Sequence, residues 1–326
     1  MTDRQQHRPA VAVEPWDPSY GAPAAGLSRP AQPDTDTSGA VDVNRECPAG
    51  EWSPLSPSAT RASEVIFVDG VRRIDARVWV TDDAGTSAGV AASFAAGAVR
   101  CNTRAEVVAA TIERGLFSTA APDPVPVAGA DYVPRNAAAD DPDSLTAAVQ
   151  ERMRDLELRV VRDVIDTELT VVDGPLRGRQ SLPGVIGYIK SHRVSYLPPV
   201  VEDVVGRLDA GQRTPLFLTQ TTWSRWSWYL RLPLGVGAAA GVHPWSGIVR
   251  CEAPADLDVE AAAALADQAS VTLVGFASEA HKDGRAPQNL YPIAGLERHL
   301  RRLLGDQRFL YRQLVAATRS GQPMPR

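Results

Sequence analysis

Lysine is nearly absent from this chain. Of its 34 basic residues only Lys190 and Lys282 are lysine, and arginine supplies the rest. Cysteine is scarce too: Cys47, Cys101 and Cys251 are odd in number, far apart and without C-x-x-C spacing. That argues against a disulfide framework and a zinc site, and it fits a reducing cytosol. Long apolar runs are missing. The weakly polar LPLGVGAAAGV at 232–242 is too short and too glycine-rich to span a bilayer, and the opening MTDRQQHRPA has no signal-peptide apolar core. These absences lead us to expect a soluble, cytoplasmic protein with no membrane partner. There is no GxxxxGK[ST], no GxGxxG after a strand and no GxSxG elbow, so a P-loop, a dinucleotide fold and an α/β-hydrolase nucleophile are excluded. Any energy source would have to come from a partner. Nor is there a basic excess. The formal net charge is −5, a total that a local arginine groove beside an acidic site would also give.

What is present is a chain of 326 residues, 44% hydrophobic and 22% charged, enough for one large domain or two small ones. Residues 1–60 are rich in Pro, Gly, Ala, Ser and Asp and carry no apolar period, so they are expected to form a largely disordered tail, with Trp16 and Tyr20 able to pin part of it. The body is expected over 61–320. Strands are predicted at about 64–69, 74–81 and 88–100, with DDAG at 82–85 as the hairpin turn. A short helix is predicted over 104–116, a loop over 121–142 and a long helix over 143–166, capped by Asp143 or Ser144. The long helix has an apolar stripe of Leu145, Val149, Met153, Leu156, Val160 and Val164. Further strands are expected ending at Asp173, in GVIGYIK, and at about 215–220, 226–232 and 246–252. Helices are expected at 199–209 and 256–280, and two more should flank Gly305-Asp306. Alternating strands and helices in the second half define an α/β class. Three meandering strands, the first carrying an aspartate, resemble the opening of an RNase H-like fold.

Two stretches share a pattern. VIFVDGVRRID at 65–75 and TVVDGPLRGRQ at 170–180 are β-branched runs that end in Asp-Gly and then meet arginine. Each delivers one carboxylate, Asp69 or Asp173, at a strand end, where Gly70 or Gly174 lets the backbone turn or be approached. Paired carboxylates suit Mg²⁺ or Mn²⁺, which prefer oxygen ligands. The same dipeptide is also a common hairpin turn. A two-metal site needs further carboxylates. On the long helix Glu157 borders the buried stripe, whereas Glu151 should face water; Glu157 is the third candidate ligand and Glu151 the alternative.

Lys190, at a strand end soon after Asp173, could neutralise a phosphate or orient a water. Of the five histidines, His299 lies on the helix that starts at Pro292 and, with Asn289 and Tyr291, forms a plausible polar cluster. WSRWSWYLR at 223–231 interleaves tryptophans with arginines, as a single-strand nucleic-acid surface does and as a packed sheet face also does.

The order of these motifs resembles the NurA family, nucleases that act with a hexameric HerA-type ATPase in processing DNA ends. The matching features are Asp69-Gly70, a long helix with Glu157, Asp173-Gly174-Pro175-Leu176 and a strand ending in Lys190. Then come Arg250, Glu252 and Pro254 in VRCEAP, and Tyr291-Pro292 followed by His299. The resemblance spans about 62–318; Val71 and Pro175 depart from it. It implies an RNase H-like mixed sheet and a homodimer. It also implies a Mn²⁺- or Mg²⁺-dependent deoxyribonuclease, of the 5′–3′ exonuclease or single-strand endonuclease kind, in end resection and double-strand break repair. In that two-metal scheme Asp69, Glu157, Asp173 and His299 bind the metals, Lys190 meets the phosphate and Tyr291 supports the site. A non-catalytic DNA-binding or ATPase-docking subunit of the same fold is the competing expectation.

Overall fold

The computed structural model describes residues 9–15, 40–127, 129–164, 167–178, 182–190, 196–221, 223–234 and 243–320. Trp16, Tyr20 and His192 lie outside them. The protein is a mixed α/β structure built on one large sheet with helices on both faces. Its centre is an antiparallel meander of three long strands, β3 (Val65–Asp82), β4 (Gly85–Cys101) and β5 (Ala105–Ser118). Chain order also gives β1 (Ala10–Val13) and β2 (Ala40–Asp42) before the meander, and β6 (Val125–Val127) and β7 (Ala130–Asn136) after it. Following these are helix α1 (Pro142–Val164), β8 (Leu169–Asp173), β9 (Val185–Ile189), α2 (Pro199–Gly206), β10 (Phe217–Gln220), β11 (Ser224–Arg231) and β12 (Ile248–Pro254). The last elements are helices α3 (Val259–Leu273), α4 (Tyr291–Leu303) and α5 (Gln307–Ser320). Across the sheet the order is β2-β10-β11-β12-β9-β8-β3-β4-β5-β7-β6, with β1 paired to the far half of β3. Strands β8 and β9 run parallel to β3.

Alternation along β3 sorts its side chains between two cores. Val65, Phe67 and Val71 point toward α3 and α4, in a cluster with Leu169, Val171, Ile186, Ala266, Ile293, Leu296 and Leu300. Ile66 and Val68 point the other way, toward Leu145, Val149, Met153, Leu156, Val160 and Val161 of α1. The stripe expected on the long helix is thus the face it buries. Its N-terminal cap is Asp141, whose Oδ1 accepts the amides of Asp143 and Ser144. Neither Asp143 nor Ser144 plays that part.

Three expectations are corrected. The strands expected at 64–69 and 74–81 are one strand, because Gly70 stays extended and pairs with Ala96 instead of turning. Residues 104–116 are strand, not helix: the 17 residues of β4 offer a partner along the whole length, and pairing overrides a weak helical pattern. The loop expected at 121–142 contains β6 and β7, the latter parallel to β5. The DDAG turn is present, closed by the Asp82↔Gly85 pair.

Residues 40–60, grouped with the tail in the sequence reading, pack on the body. β2 pairs β10, and Trp52 is buried with its indole N–H on the Val43 carbonyl. Among the described residues no helix is long and apolar enough to cross a membrane.

Candidate metal centre

The last register pair between β3 and β8 is Val68↔Val172, so Asp69 and Asp173 stand side by side one step beyond it. By alternation both leave the sheet on the α4 side, with Val65, Phe67, Leu169 and Val171. Lys190, one residue past the end of β9 and two past Tyr188, leaves on the same side. Three neighbouring parallel strands therefore present charged side chains side by side: Asp69 from within β3, Asp173 from the end of β8 and Lys190 from just past β9.

The third carboxylate is Glu297 of α4. One ligand oxygen from each of Asp69, Asp173 and Glu297 lies within 4.8 Å of the others. Lys190 Nζ donates to Asp173 Oδ2 at 2.6 Å and to Asn289 Oδ1 at 3.1 Å, and Asn289 Nδ2 donates to Asp283 Oδ2 at 2.7 Å. Arg285 grips Glu297 with two bonds, Nη1 to Oε1 at 3.0 Å and Nη2 to Oε2 at 2.6 Å. Asp69 differs from these. Among the described residues its Oδ1 accepts only the following amide, Gly70 N–H, at 2.7 Å, and its Oδ2 is buried with no hydrogen-bond partner. Asp75 on the same strand shows the satisfied alternative: Arg73, Ser93 and Tyr132 all donate to it. A buried carboxylate oxygen left without a donor is costly, and a cation is what would satisfy it.

The electrostatics follow. Burial, then the neighbouring Asp173, push the Asp69 carboxyl well above the ordinary carboxylate range. Lys190 opposes them, while Glu157 and Glu297 add to the rise. Burial works against the Lys190 ammonium, but Asp173 and Asp69 outweigh it and raise its pKa. Burial likewise disfavours ionised Glu297, and Arg285 more than compensates, lowering its pKa. The oxygen-only donor set fits a hard divalent cation such as Mg²⁺ or Mn²⁺.

Glu157 is buried on α1, on the opposite face of the sheet. It fits there because position 70 is glycine: a Cβ at Gly70 would collide with Glu157 Oε1 and come within 3.0 Å of Met153 Cγ. Its charge is felt at Asp69, yet the converging trio does not include it. Glu151 is exposed. The trio does not include His299 either. His299 is two positions beyond Glu297, roughly 200° around the helix, so the two leave opposite flanks of α4. Tyr291 lines an apolar cavity of about 450 Å³ with Val99, Phe276, Pro292 and Leu296. Glu297 could have been found by the argument that flagged Glu157, since it sits between Leu296 and Leu300 and four residues after Ile293, at the edge of the buried stripe.

The loop after Asp173 is fixed from beneath. Gly174 has φ +110°, and it exchanges hydrogen bonds with the Tyr188 backbone in both directions. Leu176 N–H donates to Glu252 Oε2 at 3.0 Å, and Glu252, fully buried, is held by Arg225 Nε at 2.8 Å and Arg250 Nη2 at 3.0 Å. The guanidinium groups lie over aromatic rings, Arg225 4.4 Å from the Trp223 centroid and Arg250 4.1 Å from that of Tyr196. Trp226, Trp228 and Tyr229 are buried in the core, so the packing reading of the aromatic stretch holds for them and base stacking does not.

No family model matches this chain, and no curated protein matches it.

Proposed function

We infer that this protein is a metal-dependent nuclease acting on DNA, an RNase H-like enzyme of the NurA kind. The observation that carries the reading is the convergence of Asp69 of β3, Asp173 at the end of β8 and Glu297 of α4 beside Lys190. The strand run β5-β4-β3-β8-β9, a meander followed by two strands parallel to its first member, supports the RNase H-like assignment. Asp69, Asp173 and Glu297 would hold the cation. A bound Mg²⁺ or Mn²⁺ would supply Lewis-acid polarisation of a phosphoryl oxygen and activation of water. Lys190 keeps a charged donor beside the carboxylates, suited to meeting an anionic phosphate. The ordered motifs extend the proposal to a homodimer working with a HerA-like hexameric ATPase.

The test is degradation of linear and single-stranded DNA with Mn²⁺ by wild type, Asp69→Ala and Asp173→Ala. Activity in wild type, lost in both variants while they stay folded, is the expected result. A second reading, a non-catalytic subunit of the same fold, is favoured by one observation: Lys190 and Arg285 already neutralise Asp173 and Glu297, as in a purely structural cluster. Wild type that stays inactive with a cognate ATPase present would establish that reading in its place.

A further inference from the structure

We propose that the centre takes a single divalent cation and that the Lys190 ammonium occupies the place a second ion would need. This rests on the metal-site reading above and specifies its stoichiometry. A two-ion site requires a carboxylate shared between ions about 3.5–4 Å apart. Asp173 is the carboxylate placed to be shared, since it stands between Asp69 on β3 and the end of β9. One of its oxygens is already taken, because Lys190 Nζ lies 2.6 Å from Oδ2.

That ammonium is held on two sides. Its second bond, to Asn289 Oδ1, is braced by the Asn289 amide on Asp283. A second cation within about 2.0–2.2 Å of the same oxygen would have to share it with the ammonium, placing a doubly charged ion beside a fixed positive charge, or displace the ammonium. Glu297 is a poor alternative bridge, since Arg285 engages both its oxygens and a bridge would need both released, whereas one ion needs only one. Among the described residues, the oxygens left are Asp69 Oδ2, buried and without a donor, and the other oxygen of Asp173. Those two, with one side of Glu297 released from the more exposed Arg285, make a ligand set for one ion.

The experiment is Mn²⁺ titration of the full chain by calorimetry, with free Mn²⁺ followed by its paramagnetic resonance, on wild type, Asp69→Asn, Lys190→Met and Lys190→Arg. Circular dichroism confirms that each is folded. The expected results are one Mn²⁺ per wild-type chain, its loss in Asp69→Asn, two in Lys190→Met and one in Lys190→Arg, which keeps the charge. Two ions on wild type, both lost in Asp69→Asn, would overturn the single-ion inference and leave the metal-site reading standing. No Mn²⁺ on wild type, or one that survives Asp69→Asn, would overturn both. One ion on wild type and still one in Lys190→Met would remove Lys190 from the role assigned to it.

Discussion

Asp69 and Asp75 are two buried aspartates on one strand with opposite energetic roles. Asp75 receives Arg73, Ser93 and Tyr132, so its charge is matched by donors. Asp69 has one oxygen without a donor and faces Asp173 and Glu297. In the absence of metal the ionised form of Asp69 is a cost, which is the usual state of a residue selected for binding rather than stability. Thermal melting in chelator should therefore separate them. Asp69→Asn is expected to melt higher than wild type, by about 2 °C or more, while Asp75→Asn melts lower. If Asp69→Asn is the destabilised one, the carboxylate is structural and the cation site loses its main support. Gly70 makes a second residue-scale point. Its missing side chain is what admits Glu157, so Gly70→Ala should be destabilising, and the cost should fall in the Gly70→Ala/Glu157→Ala double variant. A coupling of about 1 kcal/mol or more is expected from the cycle, whereas simple additivity would show that Glu157 does not rest against Gly70.

At the level of elements, what could be read from the sequence was what one side chain or one short period determines. The buried stripe of α1 was legible because amphipathic spacing is local, and the Asp-Gly ends of the β8 stretch and of the first half of β3 were legible as β-branched runs. The strand character of β5 was not, since it depends on the edge of β4, which no local pattern of 104–116 reveals. Asp69 and Asp173 were legible as candidate ligands. Glu297 was not legible, because a glutamate at the edge of a buried helical stripe has the same local pattern whether it faces a site or water. The support under Asp173 was also invisible, although it is specific: a Cβ at Gly187 would lie 2.8 Å from Leu176 N and 2.9 Å from Gly174 O, backbone atoms that cannot swing aside. Gly187→Ala should therefore lift the 174–176 segment from β9 and disturb Asp173 without touching a ligand. The expected result is a Mn²⁺ affinity reduced about 10-fold, the size typical of losing a support behind a metal ligand. Unchanged affinity in a folded variant would show that Asp173 is positioned by its own strand alone.

For the whole molecule, the main question is where the folded body begins. The composition of residues 1–60 marks them as a tail, yet the part from 40 onward is tied to the sheet by β2 and by a buried cluster. Glu46 accepts both terminal nitrogens of Arg213, at 2.9 and 2.7 Å, and the Leu216 amide. Arg213 is itself buried and also donates to Asp267 at 2.6 Å. Trp52 packs near Phe217, their centroids 6.4 Å apart, and Leu55 bridges to Arg213. A chain starting at residue 61 would leave Arg213 with one carboxylate in place of two and would uncover Phe217, Tyr229 and Val201. Breaking a buried ion pair by removing one partner costs about 3–5 kcal/mol, less here because Asp267 remains, and the uncovered apolar surface adds to it. A chain starting at residue 40 keeps all of these contacts. Melting curves of the two truncations should differ by several degrees, with the shorter one lower and more prone to aggregate, and Glu46→Ala in the full chain should reproduce part of the loss. Coincident curves would mean that the 40–60 segment is laid on a body already complete without it.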